Sequence, residues 1–434
     1  MPRILHLGFG NFHRAHQAWY TAHAPGDWKI TGVSMRTSAL RDALSPAGFA
    51  YDLGILSPEG LQVERIAVHD RLLVAAEDPA AVIEEIADPD VQVVTLTVTE
   101  KGYHLGPDGR LALDDTAIQR DLGSEAPVTA IGLLAGGLRQ RASNRSGPLT
   151  ILSCDNLSGN GRKLQAAVGS YLAAAGQDPK ILSLYSFPDS MVDRITPATT
   201  EDTRNRIAAV TGRKDAAPVL TEAFTDWIIA DRFAADRPAW DTCGARFVPD
   251  VAPYEARKLL MLNGAHSTLA YAGLLAGHTY VHEAIADVGL AALIRAFWRE
   301  AAPLLPQFDQ GALDQHGRDL VDRFSVPGVR HRLDQIAMDG SLKLPLRVLP
   351  VLRHHGFAAP AATRAIAAWI ALVSRRVETR ISLDDPAEDA LRDAFAPSRP
   401  PVERVNRALA CLGIAEGDAP RAWTENLAAT VFGT

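Results

Sequence analysis

The chain has 434 residues, 47% hydrophobic and 22% charged, enough apolar material for two or three domains with cores of their own. Its formal net charge of -7, a pI near 6.0 and the lack of any Lys/Arg-rich run exclude a surface built for nucleic acid or anionic membranes. Cys154, Cys243 and Cys411 are an odd number, far apart and without metal-ligand spacing, which suits a reducing compartment and implies neither zinc nor disulfides. The chain opens directly on a strand pattern (Ile4, Leu5, Leu7) and has no apolar run of membrane-spanning length. A cytoplasmic protein without signal peptide or membrane segment is therefore expected, either a monomer or a weak homo-oligomer.

In chain order, Arg3 to Leu7 reads as a strand, Gly8-Phe9-Gly10-Asn11-Phe12-His13 as a glycine turn, and the residues through Ala22 as a helix. Such a turn lets backbone N–H groups approach a pyrophosphate. His13 stands where a third glycine would complete the fingerprint, so a plain tight turn remains an alternative. A second strand, Lys29 to Met35, ends not in the acid that would hold an adenosine ribose but in Arg36, which suits adenine stacking or a 2′-phosphate. This position therefore leaves NAD and NADP both open.

A helix at Pro79–Ala87 precedes a buried strand from Val91 to Thr99, which delivers Glu100, Lys101, Gly102 and Tyr103. A further strand, Leu149 to Ser153, delivers Cys154-Asp155-Asn156. Strand ends of an open parallel sheet are where ligands gather, so both segments are candidate site elements. Asn156 can donate its amide to a developing oxyanion or serve as a turn residue. Asp193 and Arg194 lie in an apolar segment with proline at both ends and read as a structural ion pair or as part of a site.

Beyond about residue 248 strand signals fade, and helical patterns cover 255–276, 284–304, 313–324, 361–376, 387–396 and 402–412. The expected fold is thus α/β: a Rossmann-like, doubly wound domain over 1–247 and a mostly α-helical domain over 248–434. The second opens on Lys258-Leu-Leu-Met-Leu-Asn263-Gly-Ala-His266. On an α-helix Asn263 lies about 140° round from Lys258, and His266 about 80° from Lys258, so the three can border one cavity. The intervening apolar residues predict burial, and desolvation brings a lysine's pKa down towards the range of a general acid/base. A lysine snorkelling from a core helix is the plainer alternative.

Taken together, Gly8 to Gln17, Thr97 to Tyr103, Ser153 to Asn156, Met191 to Ile195, Lys258 to His266 and Asp339 to Lys343 resemble the polyol-specific long-chain dehydrogenases and reductases. Members of that family include mannitol 2-dehydrogenase and fructuronate reductase. The resemblance spans the chain and implies a metal-independent, nicotinamide-dependent oxidoreductase of CH–OH groups acting on a small sugar acid or polyol. It implies Lys258 as acid/base, Asn156 and Asn263 as oxyanion donors, and His266, Asp193 and Lys343 as site residues. Gly8, Phe9, Gly10, Phe12, His13, Arg36, Thr99 and Glu100 are expected around the dinucleotide.

Within the family, this chain is more similar to fructuronate reductases at Lys101, where mannitol dehydrogenases carry glycine, and at Gln335, where they carry arginine. The runs Arg330-His331-Arg332 and Gln335 to Ser341 point the same way. A uronate brings a carboxylate, and Lys101, Arg330 or Arg332 offers a charge-assisted partner. D-fructuronate reduction to D-mannonate is therefore the expected reaction, with a mannitol or other polyol oxidoreductase as the alternative. A sensor that binds a dinucleotide without turnover has no reason to keep Lys258, both asparagines and His266.

Overall fold

The computed structural model describes residues 1–433, which divide into one compact unit spanning Met1–Ala252 and a second beginning at Pro253. In chain order the strands of the first unit are β1 (Arg3–Leu7), β2 (Lys29–Ser34), β3 (Tyr51–Ser57), β4 (Gly60–Ile66), β5 (His69–Val74), β6 (Val91–Leu96) and β7 (Thr150–Ser153). They are followed by β8 (Ser190–Asp193), β9 (Val219–Glu222), β10 (Asp226–Ala230) and β11 (Arg246–Val248). A five-stranded sheet in the order β5-β2-β1-β6-β7 is parallel throughout. The helices Pro79–Ala87 and Ala130–Asn144 pack on each other and supply Val82, Ile86, Leu134 and Leu138 to its buried face. Burial on both faces fits the mostly apolar composition of β1 and β6, whose His6 and Thr95 are buried as well.

The chain leaves β1 for β2 on one side and returns to β6 on the other. The order therefore reverses beside β1, and a crevice opens beyond the strand ends there. Two three-stranded sheets, β4-β3-β9 and β11-β10-β8, complete the unit. Their strands were not foreseen, because most are short and lie in mixed pairings that leave no long periodic run.

The strand expected over Val91 to Thr99 stops at Leu96. Beyond it the Asp155 carboxylate takes the N–H groups of Val98 and Thr99, which a continuing ladder would have used. The expected helix after the glycine turn is broken at His16 (φ -118, ψ -88) into Asn11–Ala15 and Gln17–His23.

The second unit is helical, and its strand pairing among the described residues is a single bridge, Tyr280 with Arg332. Its longest helix, Pro360–Glu378, starts on proline, whose missing N–H is tolerated there, and buries Ile366, Trp369 and Ile370 against the helix Gly264–Leu275. Asp287 and Asp309 cap the helices Val288–Ala301 and Gln310–Phe324 by accepting first-turn N–H groups. Further helices at Leu333–Ala337, Gly340–Arg347, Leu349–His354 and Arg421–Phe432 lie outside the patterns read from sequence. No helix among the described residues is long and apolar enough to cross a membrane.

Candidate functional site

In the first unit a cleft of about 660 Å³ lies at the carboxyl ends of the parallel strands, within the size range of ligand pockets. Gly8, Phe9, Arg36, Thr97, Thr99 and Gly102 are among its walls. Gly8 has φ +96, and a Cβ there would fall 2.2 Å from the Thr97 carbonyl oxygen, so only glycine lets these two strand ends close. Phe9 N–H and Gly8 N–H both donate to the Val33 carbonyl, which fixes the turn over β2. Arg36 is exposed at the cleft, with no partner for its guanidinium among the described residues.

Gly10, Phe12, His13 and Glu100 stand outside the cleft lining. His13 is a correction to the sequence reading: it is fully buried under the turn, stacked at 3.4 Å on His6 and 3.0 Å from His69 by its Nε2. Burial, with the neighbouring His6, His69 and Arg14, holds its pKa well below the usual histidine range. It supports the turn from below. Phe12 is half-buried and stacks on His16, and Gly10 caps the short helix.

Across the sheet, β7 ends in Ser153, Cys154, Asp155 and then Asn156, whose side chain is exposed at the strand's carboxyl end. Asn160 secures this turn, its Nδ2 donating to the Asp155 carbonyl at 3.1 Å and to the Ser190 carbonyl at 2.8 Å. Asp155 enters the sequence reading only as part of its segment and without a role, although an acid at the end of an apolar strand is a signal. It is 7% exposed and accepts from Val98 N–H, Thr99 N–H and the Tyr103 hydroxyl. Lys101 is exposed on the 3₁₀ turn Glu100–Tyr103, with no partner for its ammonium among the described residues.

Asp193 is buried at the end of β8. Arg194, just beyond β8, donates to the carbonyls of Ala15 and Glu222 and lies over the Trp19 ring.

In the second unit Lys258–Asn263 is a π turn between the helices Ala252–Arg257 and Gly264–Leu275. Gly264 N–H donates to the Leu259 carbonyl five residues back, the signature of π geometry. A π turn winds less per residue than an α-helix, so Lys258 and Asn263 lie closer in angle than the about 140° of an α-helix and are drawn towards one edge. Leu260, Met261 and Leu262 are buried behind them, while Lys258 and Asn263 are half-buried. The Trp298 indole N–H donates to the Met261 carbonyl at 2.8 Å, satisfying an acceptor inside the turn. His266 is buried three residues on, its ring 4.6 Å from that of Phe324 and edge-on to His331 at 5.2 Å. Desolvation, reinforced by Arg323 and Lys343, lowers the His331 pKa to about 4. His331 is thus a neutral neighbour of His266 that the sequence reading passed over.

The remaining cations divide. Arg332 is a correction: it makes a bidentate pair with Asp334, at 2.9 Å through Nε and 2.5 Å through Nη2, so its fork is already filled. Arg330 is exposed, in the left-handed region at φ 46, and has no guanidinium partner among the described residues. Gln335 is exposed on the next helix. Lys343 is half-buried and donates to the Met338 carbonyl at 2.6 Å and the Ile336 carbonyl at 3.3 Å, so it clamps the loop before its own helix. The Asp339-Gly340-Ser341 segment is structural: a Cβ on Gly340 would fall 2.5 Å from Trp369 Nε1, and Ser341 bonds the Asp385 carboxylate. No group of three or more His, Cys, Asp or Glu side chains among the described residues is placed to hold a metal ion.

Comparison with known proteins matches residues 2–242 to a mannitol dehydrogenase Rossmann domain and residues 250–419 to a mannitol dehydrogenase C-terminal domain. The chain is 41% identical over 367 residues to a D-arabinitol 4-dehydrogenase of Ralstonia nicotianae, covering 81% of this chain and 78% of that protein. It is 38% identical over 368 residues to a D-mannonate oxidoreductase of Escherichia coli, covering 81% and 75%. The structure of Pseudomonas fluorescens mannitol 2-dehydrogenase, a ternary complex with NAD and D-mannitol, superposes with a TM-score of 0.80 at 31% identity. That match covers 98% of this chain and 94% of the other.

Proposed function

Because the chain belongs to the mannitol dehydrogenase family of oxidoreductases acting on CH–OH groups, we propose that it reduces the ketone of a sugar acid, D-fructuronate to D-mannonate, and catalyses the reverse. NAD is the proposed cofactor, supported by the cleft beyond β1 and β6, its close glycine approach at Gly8, and the NAD complex of the Pseudomonas fluorescens relative. The observation that carries the catalytic part is the π turn that draws Lys258 and Asn263 towards one edge.

Gly8, Phe9 and the cleft wall would hold NADH, which would supply the hydride to the substrate carbon. As the carbonyl oxygen gains charge, the amides of Asn156 and Asn263 donate to it more strongly than in the ground state, which lowers the barrier rather than merely tightening binding. The Lys258 ammonium delivers a proton to that oxygen, and in the oxidative direction its neutral amine takes the alcohol proton. His266, buried and packed on Phe324, is proposed to line the substrate space beside Asn263. Asp193 is proposed as a further site residue.

The carboxylate preference rests on Lys101 and Arg330, exposed cations without partners among the described residues. The 41% identity to a D-arabinitol 4-dehydrogenase favours a second reading, a neutral polyol and its ketose. Initial rates with D-fructuronate, D-tagaturonate and D-fructose plus NADH, and with D-mannonate, D-mannitol and D-arabinitol plus NAD, decide between them. The highest kcat/KM on the fructuronate–mannonate pair is expected. A higher value on D-arabinitol or D-mannitol replaces the uronate assignment with the second reading.

A further inference from the structure

Thr99 has φ 66 and ψ 163, a region that is close to glycine-only and that other residues occupy only when their surroundings force it. The force is visible. One oxygen of the buried Asp155 carboxylate accepts Thr99 N–H at 2.8 Å, and the other accepts Val98 N–H at 3.1 Å and the Tyr103 hydroxyl at 2.9 Å. Two consecutive backbone donors and a buried phenol thus converge on one side chain 56 residues further along the chain. The segment they belong to forms the dinucleotide cleft wall, with Thr97, Val98, Thr99 and Gly102 all facing it. The same Asp155 is joined by one peptide bond to Asn156, and its carbonyl is held by Asn160 Nδ2 and Leu157 N–H.

We propose that Asp155 is a positioning residue that couples the cofactor cleft to the oxyanion donor. Its carboxylate imposes the Thr99 conformation on the cleft wall, while its backbone fixes where Asn156 presents its amide. The inference rests on the dehydrogenase reading above. Asparagine at this position cannot substitute, because its NH₂ group would face one of two N–H donors and leave it unpaired.

The test is Asp155→Asn in the full chain, read by fluorescence titration with NADH alone and by steady-state kinetics. NADH affinity is expected to fall about tenfold, from the lost hold on a strained wall. A fall of about 10²-fold in kcat is expected from the shifted amide. The discriminating variant is Asp155→Asn with Thr99→Gly. Glycine takes the Thr99 conformation without strain, so NADH affinity should recover about tenfold. A merely destabilised fold would not recover, since glycine adds to the entropy lost on folding.

Wild-type affinity and turnover in Asp155→Asn, or no recovery in the double variant, overturns the coupling. If Asp155→Asn does not fold, Tyr103→Phe serves, because it strips one donor from the same carboxylate and keeps both backbone donors. A loss of about threefold or more in NADH affinity, restored by Thr99→Gly, then supports the proposal, and unchanged affinity overturns it. Absence of NADH binding and turnover in the wild-type chain is a different result: it removes the dehydrogenase reading and this inference with it.

Discussion

Lys258 and Asn263 occupy the two ends of a single π turn, five residues apart yet drawn towards one edge of the helix. Ordinary α periodicity separates them by about 140°. The extra residue in the turn therefore brings an ammonium and an amide towards one side while Leu260, Met261 and Leu262 remain in the core. Such bulges are frequently found at functional sites, and here the bulge joins the two groups that the proposed chemistry needs on one oxygen.

If Asn263 acts on the developing oxyanion, Asn263→Ala should lower kcat by about 10²–10³ with little change in KM. The same holds for Asn156→Ala. Steady-state kinetics on each variant checks this, and an effect confined to KM assigns the amide to ground-state binding.

Substrate charge is tested by Lys101→Ala and Arg330→Ala. Each deletes a cation that has no protein partner among the described residues, so loss of a charge-assisted bond should cost about 10–150-fold in kcat/KM for D-fructuronate and hardly affect D-fructose. Arg332→Ala is the control: with its fork on Asp334, it should leave the selectivity between the two ketoses unchanged. Equal losses on both ketoses in the Lys101 and Arg330 variants would make those residues structural.

The histidines beneath the glycine turn make stability depend on acid. Burial lowers the pKa of His6 and of His69 to about 3, and that of His13 well below 6.5. Thr97 donates its hydroxyl to the Gly8 carbonyl at 3.0 Å, so it accepts from His6 Nε2–H at 2.9 Å. This leaves Nδ1 of the neutral His6 ring to accept from the Thr95 hydroxyl, an arrangement that suits the uncharged ring favoured by burial. Below pH 6.5 the unfolded chain binds protons that the folded chain refuses, so stability rises with pH across the window from 6.5 down towards 3 and is lost on acidification. Each histidine contributes up to about 1.4 kcal/mol per pH unit well inside that window. Urea unfolding between pH 6.5 and 5 should show this slope, and His69→Asn should reduce it. An unchanged slope in that variant would mean that His69 is charged or exposed.

Cofactor choice turns on Arg36, which stands at the cleft without an acid beside it on β2. NADH should be preferred, and Arg36→Ala should weaken NADPH use more than NADH use, as measured by kcat/KM for each. Activity should also survive exhaustive chelation. Loss with EDTA and recovery with zinc would overturn the proton-transfer role given to Lys258.

The order of elements around the site was legible because its signals are local. A strand, Gly8 and a turn follow one another directly, and the apolar periodicity around Lys258 marks a buried helix. What escaped depends on partners distant in sequence or on a shift in register. Asp155 works on Val98, Thr99 and Tyr103, more than fifty positions earlier, and no spacing rule links them. The π turn has no composition of its own, since Leu-Leu-Met-Leu suits an α-helix equally. His13 occupies a fingerprint position, but its environment is set by His6 on β1 and His69 on β5. Arg332 was readable, because Asp334 two residues on is within reach of its fork.

The most direct measurement is turnover by Lys258→Ala at saturating substrate and NADH, alongside NADH titration of the same protein. With Lys258 as the proton donor to the substrate oxygen, turnover falls by about 10²–10⁴-fold while NADH affinity stays at the wild-type value. Wild-type turnover in this variant would contradict the assignment of Lys258 as the acid/base.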